Sequence, residues 1–167
     1  MRIWFRTIKI WFDKGFSHSE PAFVVGIFDD VEKANICFNV LKEFINCLSK
    51  YEPERVENFV KNLPNEVRNV LKEVYKIDVD TSSPLEVYEL MIEDLPSGDC
   101  LCEVTRYENV VVLICDLCGE PTITDTSIYG TIMRALGAVK VKFLIRDELA
   151  KFIHELWTKD VYTVEKV

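Results

Sequence analysis

The sequence predicts one domain of the α/β or α+β class, built on a mixed sheet of about five strands with about five helices. Three observations carry that prediction. A chain of 167 residues is long enough to bury a single core and short for two domains of ordinary size. Its composition, 49% apolar and 29% charged, is that of a folded globular chain and not of a disordered one. Short β-branched and apolar runs alternate with stretches of helical period, and no repeat or low-complexity linker divides them.

The elements follow in order. Residues 2–12, IWFRTIKIWF and its neighbours, mix aromatic, β-branched and cationic residues with loose alternation, which suits a strand. After the loop DKGFSHSEP, the run AFVVGIF at 22–28 reads as a buried second strand, and the two are expected to form a hairpin. Asp29 or Asp30 then caps a helix over 30–50, because Asp29 and Glu32 have capping-box spacing and Val31, Ala34, Cys37, Phe38, Leu41, Phe44, Ile45 and Leu48 make one apolar stripe.

A helical insertion is expected over 52–95. Within it, residues 54–75 divide at Pro64, and Ser83, Pro84 and Glu86 start a helix over 84–94 as N-cap, first turn and capping partner. CEVTRY and VVVLIC then read as strands about a Glu108–Asn109 turn. A helix over 126–136, capped by Asp125 or Thr126 and stopped at Gly137, leads into the strand AVKVKFLI, and a last helix runs over 147–158. Strand, helix, strand in this final third implies a right-handed βαβ crossover.

Charge and hydropathy narrow the function. Twenty Lys and Arg against twenty-eight Asp and Glu leave a net charge of −8, and the cations are scattered singly, so no nucleic acid partner is expected. No long uncharged apolar stretch predicts a membrane span, and the opening residues lack the pattern of a signal peptide. A cytoplasmic, reducing location follows as the expectation, in which six cysteines point to free thiols or a metal before disulfides. The charge-rich composition, which contains no Gln, also fits a thermophilic source, where intracellular disulfides persist.

The richest feature is CLCEVTRYENVVVLICDLCGE, residues 100–120. With the turn at Glu108–Asn109, Cys102 stands opposite Cys115, Cys100 shares its face, and Cys118 lies one position beyond the place opposite Cys100. Four converging sulfurs would make a metal site of Cys100, Cys102, Cys115 and Cys118. In outline this resembles a zinc ribbon, with CDLCGE similar to one of its knuckles; the resemblance covers about twenty residues and implies a structural zinc. The first pair departs from the ribbon pattern, being spaced Cys-x-Cys where Cys-x-x-Cys is usual.

Three other readings of the same residues stand beside it. Cys115 and Cys118 have the spacing of a thiol–disulfide redox pair, although Gly119, Glu120 and Pro121 do not start the helix that would activate one. Cys102 and Cys115 are placed to form a cross-strand disulfide. All four also fit as small buried hydrophobes, the reading adopted for Cys37 and Cys47 on the 30–50 helix.

Elsewhere the signals are weaker. Asp78, Asp80, Ser82 and Glu89 fall at oxygen-ligand positions of a calcium loop, but Ser83 replaces its glycine and the Ser83–Glu86 capping box begins a helix too early, so a helix-to-helix connection is expected. The loop after strand 110–116 lies where α/β sheets bind ligands, and Asp116, Asp125, Thr126 and Ser127 are its candidate ligand-binding residues. His154 is expected to be a partly buried helical residue, and His18 lies in a loop without neighbours spaced to join it. Trp4, Phe5, Trp11 and Phe12 place aromatics on both faces of the first strand, which predicts either helices on both sides of the sheet or a homodimer or other protein partner.

The leading expectation is thus a noncatalytic binding or interaction domain with a zinc at the cysteine hairpin. The alternative is a small-molecule or nucleotide-binding enzyme with its site in the 116–127 loop; no catalytic residue is assigned.

Overall fold

The computed structural model describes residues 21–93, 102–116 and 128–144, together with residues 148, 151 and 154. Strand β1 (Pro21–Phe28) opens this part of the chain and runs into helix α1 (Val31–Ser49). The cap of α1 is Asp30, whose carboxylate accepts the Glu32 N–H at 2.8 Å. Asp29 instead pairs with Lys33 one turn on, at 3.4 Å.

Helices α2 (Pro53–Lys61), α3 (Asn65–Tyr75) and α4 (Pro84–Glu93) form the insertion. The division between α2 and α3 falls at Pro64, which has no N–H to continue a helix and so stands at the start of the next. Arg68 secures the joint: its guanidinium donates to the carbonyls of Val60, Lys61 and Leu63 at 3.1, 2.6 and 3.2 Å and to Asp80 at 3.2 Å. It thereby adds donors at carbonyls where the chain leaves α2, among them Val60 O, which also accepts the Leu63 N–H at 3.3 Å. Lys76, at φ 59°, stops α3 in the left-handed conformation while the Ile77 N–H returns to Leu71 O at 3.0 Å. The Ser83–Glu86 capping box forms in both directions, each bond 3.3 Å, and starts α4 where the sequence placed it.

Strands β2 (Cys102–Tyr107) and β3 (Val110–Asp116), helix α5 (Ile128–Ala135) and strand β4 (Ala138–Leu144) complete the described fold. Gly137, at φ 104°, makes the turn from α5 into β4, and a Cβ there would also lie 3.0 Å from Lys33 Cδ. Residues 148, 151 and 154 are helical, within the last predicted helix. The predicted strand at 2–12 and the caps Asp125 and Thr126 lie outside the described residues.

The four strands are ordered β2-β3-β1-β4, and every neighbouring pair is antiparallel. The fold is α+β, and the predicted mixed sheet is corrected: described strands lie parallel only across an intervening one. Both β3 and β4 run antiparallel to β1, so the β3–α5–β4 crossover exists but is split by β1. The β1–α1…β2 connection is split by β3 in the same way. Two interlocked split β-α-β units give the connectivity of the ferredoxin-like arrangement, with α2–α4 inserted in the first crossover. Hydrophobicity explains the order. FVV of β1 and VVVLI of β3 are buried on both faces and take the central places, whereas β4, with exposed Val139 and Lys140, is left at an edge.

One sheet face is covered by α1, over β2 and β3, and by α5, over β4 and β1. Val24, Phe28, Val111 and Leu113 meet Ala34, Cys37 and Leu41 of α1 and Ile132 and Met133 of α5 in a single core. Gly26 leaves room for Met133, whose sulfur would lie 2.9 Å from a Cβ at that position. The insertion extends the same core through Val56, Phe59, Val67, Leu71 and Val87. Phe44 ties the parts together, its ring edge-to-face with Phe59 at 6.0 Å and with Tyr129 at 5.3 Å. On the opposite face Phe23, Val25, Val112 and Ile114 are also fully buried within one chain, so covering these residues requires no second subunit.

Candidate functional site

The cysteine hairpin is built from its turn outward. Tyr107 pairs with Val110 across a two-residue loop in which Glu108 adopts φ 50°. Arg106 donates to Glu108 O at 2.9 Å, and Asn109 clamps the turn to the end of β1: its Nδ2 donates to Phe28 O at 2.8 Å while its own carbonyl accepts the Phe28 N–H at 2.9 Å. From this fixed turn the ladder runs without a bulge to Cys102 opposite Cys115. Cys115 and Asp116 in turn stand opposite Ala22 and Pro21 at the start of β1.

The structure therefore brings Cys102 and Cys115 together in register, as the turn position predicts. Alternation puts positions 102 and 115 on the sheet face of Val104 and Leu113, under the layer that contains α1. Cys100 and Cys118, and likewise Asp125, Thr126 and Ser127, lie outside the described residues. Among the described residues no three His, Cys, Asp or Glu side chains gather into a metal-binding group.

Cys37 and Cys47 behave as packing residues. Both are fully buried, and burial pushes the Cys37 thiol up to about 12. The Cys47 thiol is pushed up to about 11, first by burial and then by the nearby Glu43 carboxylate. Glu43 accepts from Arg55 at 3.0 Å and lies 3.9 Å from the Cys47 sulfur. Thiols held so firmly in the neutral form are poor nucleophiles and poor metal ligands.

Residues 76–83, which include the calcium-like positions, connect α3 to α4. Asp78 accepts the Asp80 N–H at 3.0 Å, and the two carboxylates are balanced by Lys72 at 3.8 Å and Arg68 at 3.2 Å. His154 departs from expectation: it is helical but exposed, so its position beside apolar residues in sequence does not translate into burial.

Two surface hollows of about 260 and 250 Å³ were not signalled by the sequence. The first lies between α1 and α2 and is lined by apolar Val40, Phe59 and Leu63 and by polar Asn39, Glu43, Asn58 and Asn62. The second adjoins Arg68, Asp80, Lys61 and Glu57, whose charges are already paired with one another.

No helix among the described residues is long and apolar enough to cross a membrane. Comparison with protein-family models, curated proteins and solved structures gives no match, so the functional reading stands on the residues of this chain alone.

Proposed function

We propose that the protein is a noncatalytic cytoplasmic binding or interaction domain that holds one zinc ion at the open end of the β2–β3 hairpin. Cys100, Cys102, Cys115 and Cys118 are the ligands in this reading. The observation that carries it is the ladder register setting Cys102 directly opposite Cys115, with one further cysteine just beyond each strand end. Four thiolates suit zinc in a closed tetrahedral structural site, which leaves no coordination position for substrate. The ion would tie together the strand ends farthest from the Asn109 clamp.

The partner in this reading is a protein, either a second copy or another chain. Support for leaving out nucleic acid comes from the net charge of −8, and five of the described cations, Lys33, Arg55, Lys61, Arg68 and Lys72, are paired with carboxylates.

Elemental analysis of protein purified without chelators tests the site. About one zinc per chain is expected from the affinity of structural sites, and less than about 0.2 would sink the reading. Cys102→Ser should lose the metal and lower thermal stability, whereas Cys37→Ala should retain it.

A further inference from the structure

The hairpin register also fixes which kind of cross-strand pair the two cysteines occupy. A two-residue hairpin closes on a hydrogen-bonded pair, here Tyr107 and Val110, and such pairs alternate with non-hydrogen-bonded ones along the ladder. Arg106–Val111, Val104–Leu113 and Cys102–Cys115 are thus non-hydrogen-bonded. The Phe28 N–H bond to Asn109 O gives the same parity independently, because it turns the backbone groups of the odd-numbered β3 residues toward β1 and away from β2. In a non-hydrogen-bonded pair the Cα atoms approach to about 4.5 Å, at the close end of the range of about 4.4 to 6.8 Å that disulfides span. The backbone is already placed to be bridged.

We propose that Cys102 and Cys115 are a redox-responsive dithiol that closes to a cross-strand disulfide when oxidised by a peroxide. In the first step one thiolate sulfur attacks a peroxide oxygen, the O–O bond breaks, and the departing hydroxide is protonated to water. The sulfenic acid so formed is attacked by the opposed thiol; the S–O bond breaks, the S–S bond forms, and a second water leaves with the proton of that thiol. Two thiols lose two electrons and two protons, and hydrogen peroxide becomes two waters.

The dithiol rests on the register alone. Its consequence for metal rests on the zinc reading: a sulfur in a disulfide is no longer a thiolate ligand, so closure releases the ion. Cys37 and Cys47 serve as internal references, being fully buried with their thiols held neutral.

The test treats the full-length protein, assayed first for zinc, with stoichiometric hydrogen peroxide. Free thiols are then blocked, the protein is digested without reductant, and the linked peptides are mapped by mass spectrometry. The expected result is a Cys102–Cys115 link that dithiothreitol reverses, with loss of alkylation at these two residues and none at Cys37 or Cys47 in the denatured protein. Release of zinc in step with the link supports the coupled device. A link in protein that held no zinc supports the dithiol and removes the metal reading. Zinc retained with no link, or a dominant link between other cysteines, overturns the dithiol and leaves the metal reading intact. In a folded Cys115→Ser variant the link should vanish; the mapping of the unsubstituted protein decides the question without that variant.

Discussion

The sheet layer and the helical insertion share one continuous core, yet they hold their shapes by different means. In the sheet, Phe23, Val24 and Val25 of β1 and Val111 to Ile114 of β3 are wholly withdrawn from water, and the ladders satisfy the backbone. Apolar burial at roughly 1.5 to 3 kcal/mol per large side chain therefore dominates there. In the insertion the helices are amphipathic and short, and polar devices set their junctions: the four bonds of Arg68, the Lys76 stop and the Ser83–Glu86 box. The contrast teaches that a three-helix insertion within a β-α crossover needs few apolar anchors if its helix ends are satisfied locally.

Deleting core volume in the sheet should break the molecule most severely. Leu113→Ala removes a fully buried side chain where β3 meets the helices, and a loss of about 3 kcal/mol is expected from the urea midpoint. Because the core is shared, the helical and near-ultraviolet signals should fall together; separate transitions would show that the insertion is an independent unit.

A pH titration sharpens the comparison at α1, the helix that lies between the two regions. The Cys37 thiol is raised in the folded state from 9.0 to about 12. Below pH 9 the thiol is protonated both folded and unfolded and contributes no pH dependence. Between pH 9 and 12 the unfolded chain binds fewer protons, so stability falls as pH rises, with a slope approaching about 1.4 kcal/mol per unit for this group. Across one and a half units that amounts to about 2 kcal/mol. Cys37→Ala should flatten the alkaline slope by up to one proton; an unchanged slope between pH 9 and 11 would refute the assignment.

The smallest expected effect lies in the insertion itself. Arg68→Ala removes the side-chain donor from the carbonyls of Lys61 and Leu63 and the second donor from Val60 O, which keeps the Leu63 N–H, at a cost of about 1.5 kcal/mol given the partial exposure of the side chain. Amide exchange should accelerate in α2 and α3 while β1 and β3 keep their protection. Uniform acceleration across the sheet would mean that the junction supports the whole fold.

Particular elements show why some of this was legible and some was not. Four strands, the capped starts of α1 and α4, the break at Pro64 and the stop at Gly137 were readable because each depends on residues a few positions apart. The Cys102–Cys115 register was readable for the same reason: a two-residue turn fixes every pair along its hairpin. The cap of α1 was narrowed only to two aspartates: the capping-box spacing to Glu32 belongs to Asp29, whereas the carboxylate that accepts the Glu32 N–H is that of Asp30. His154 shows the limit of reading burial from neighbours in sequence, because which face of a helix meets the core depends on what it docks against.

By itself, then, the sequence determined the class, the locations of the described elements and the pairing of two cysteines, all consequences of local stereochemistry and of the periodicity with which apolar side chains recur. Only the tertiary structure decided that β1 separates β3 from β4, that every neighbouring strand is antiparallel, and that Arg68 closes the α2–α3 joint. Those outcomes turn on competition among partners distant in the chain: the two most apolar strands take the central places because only there are both of their faces buried.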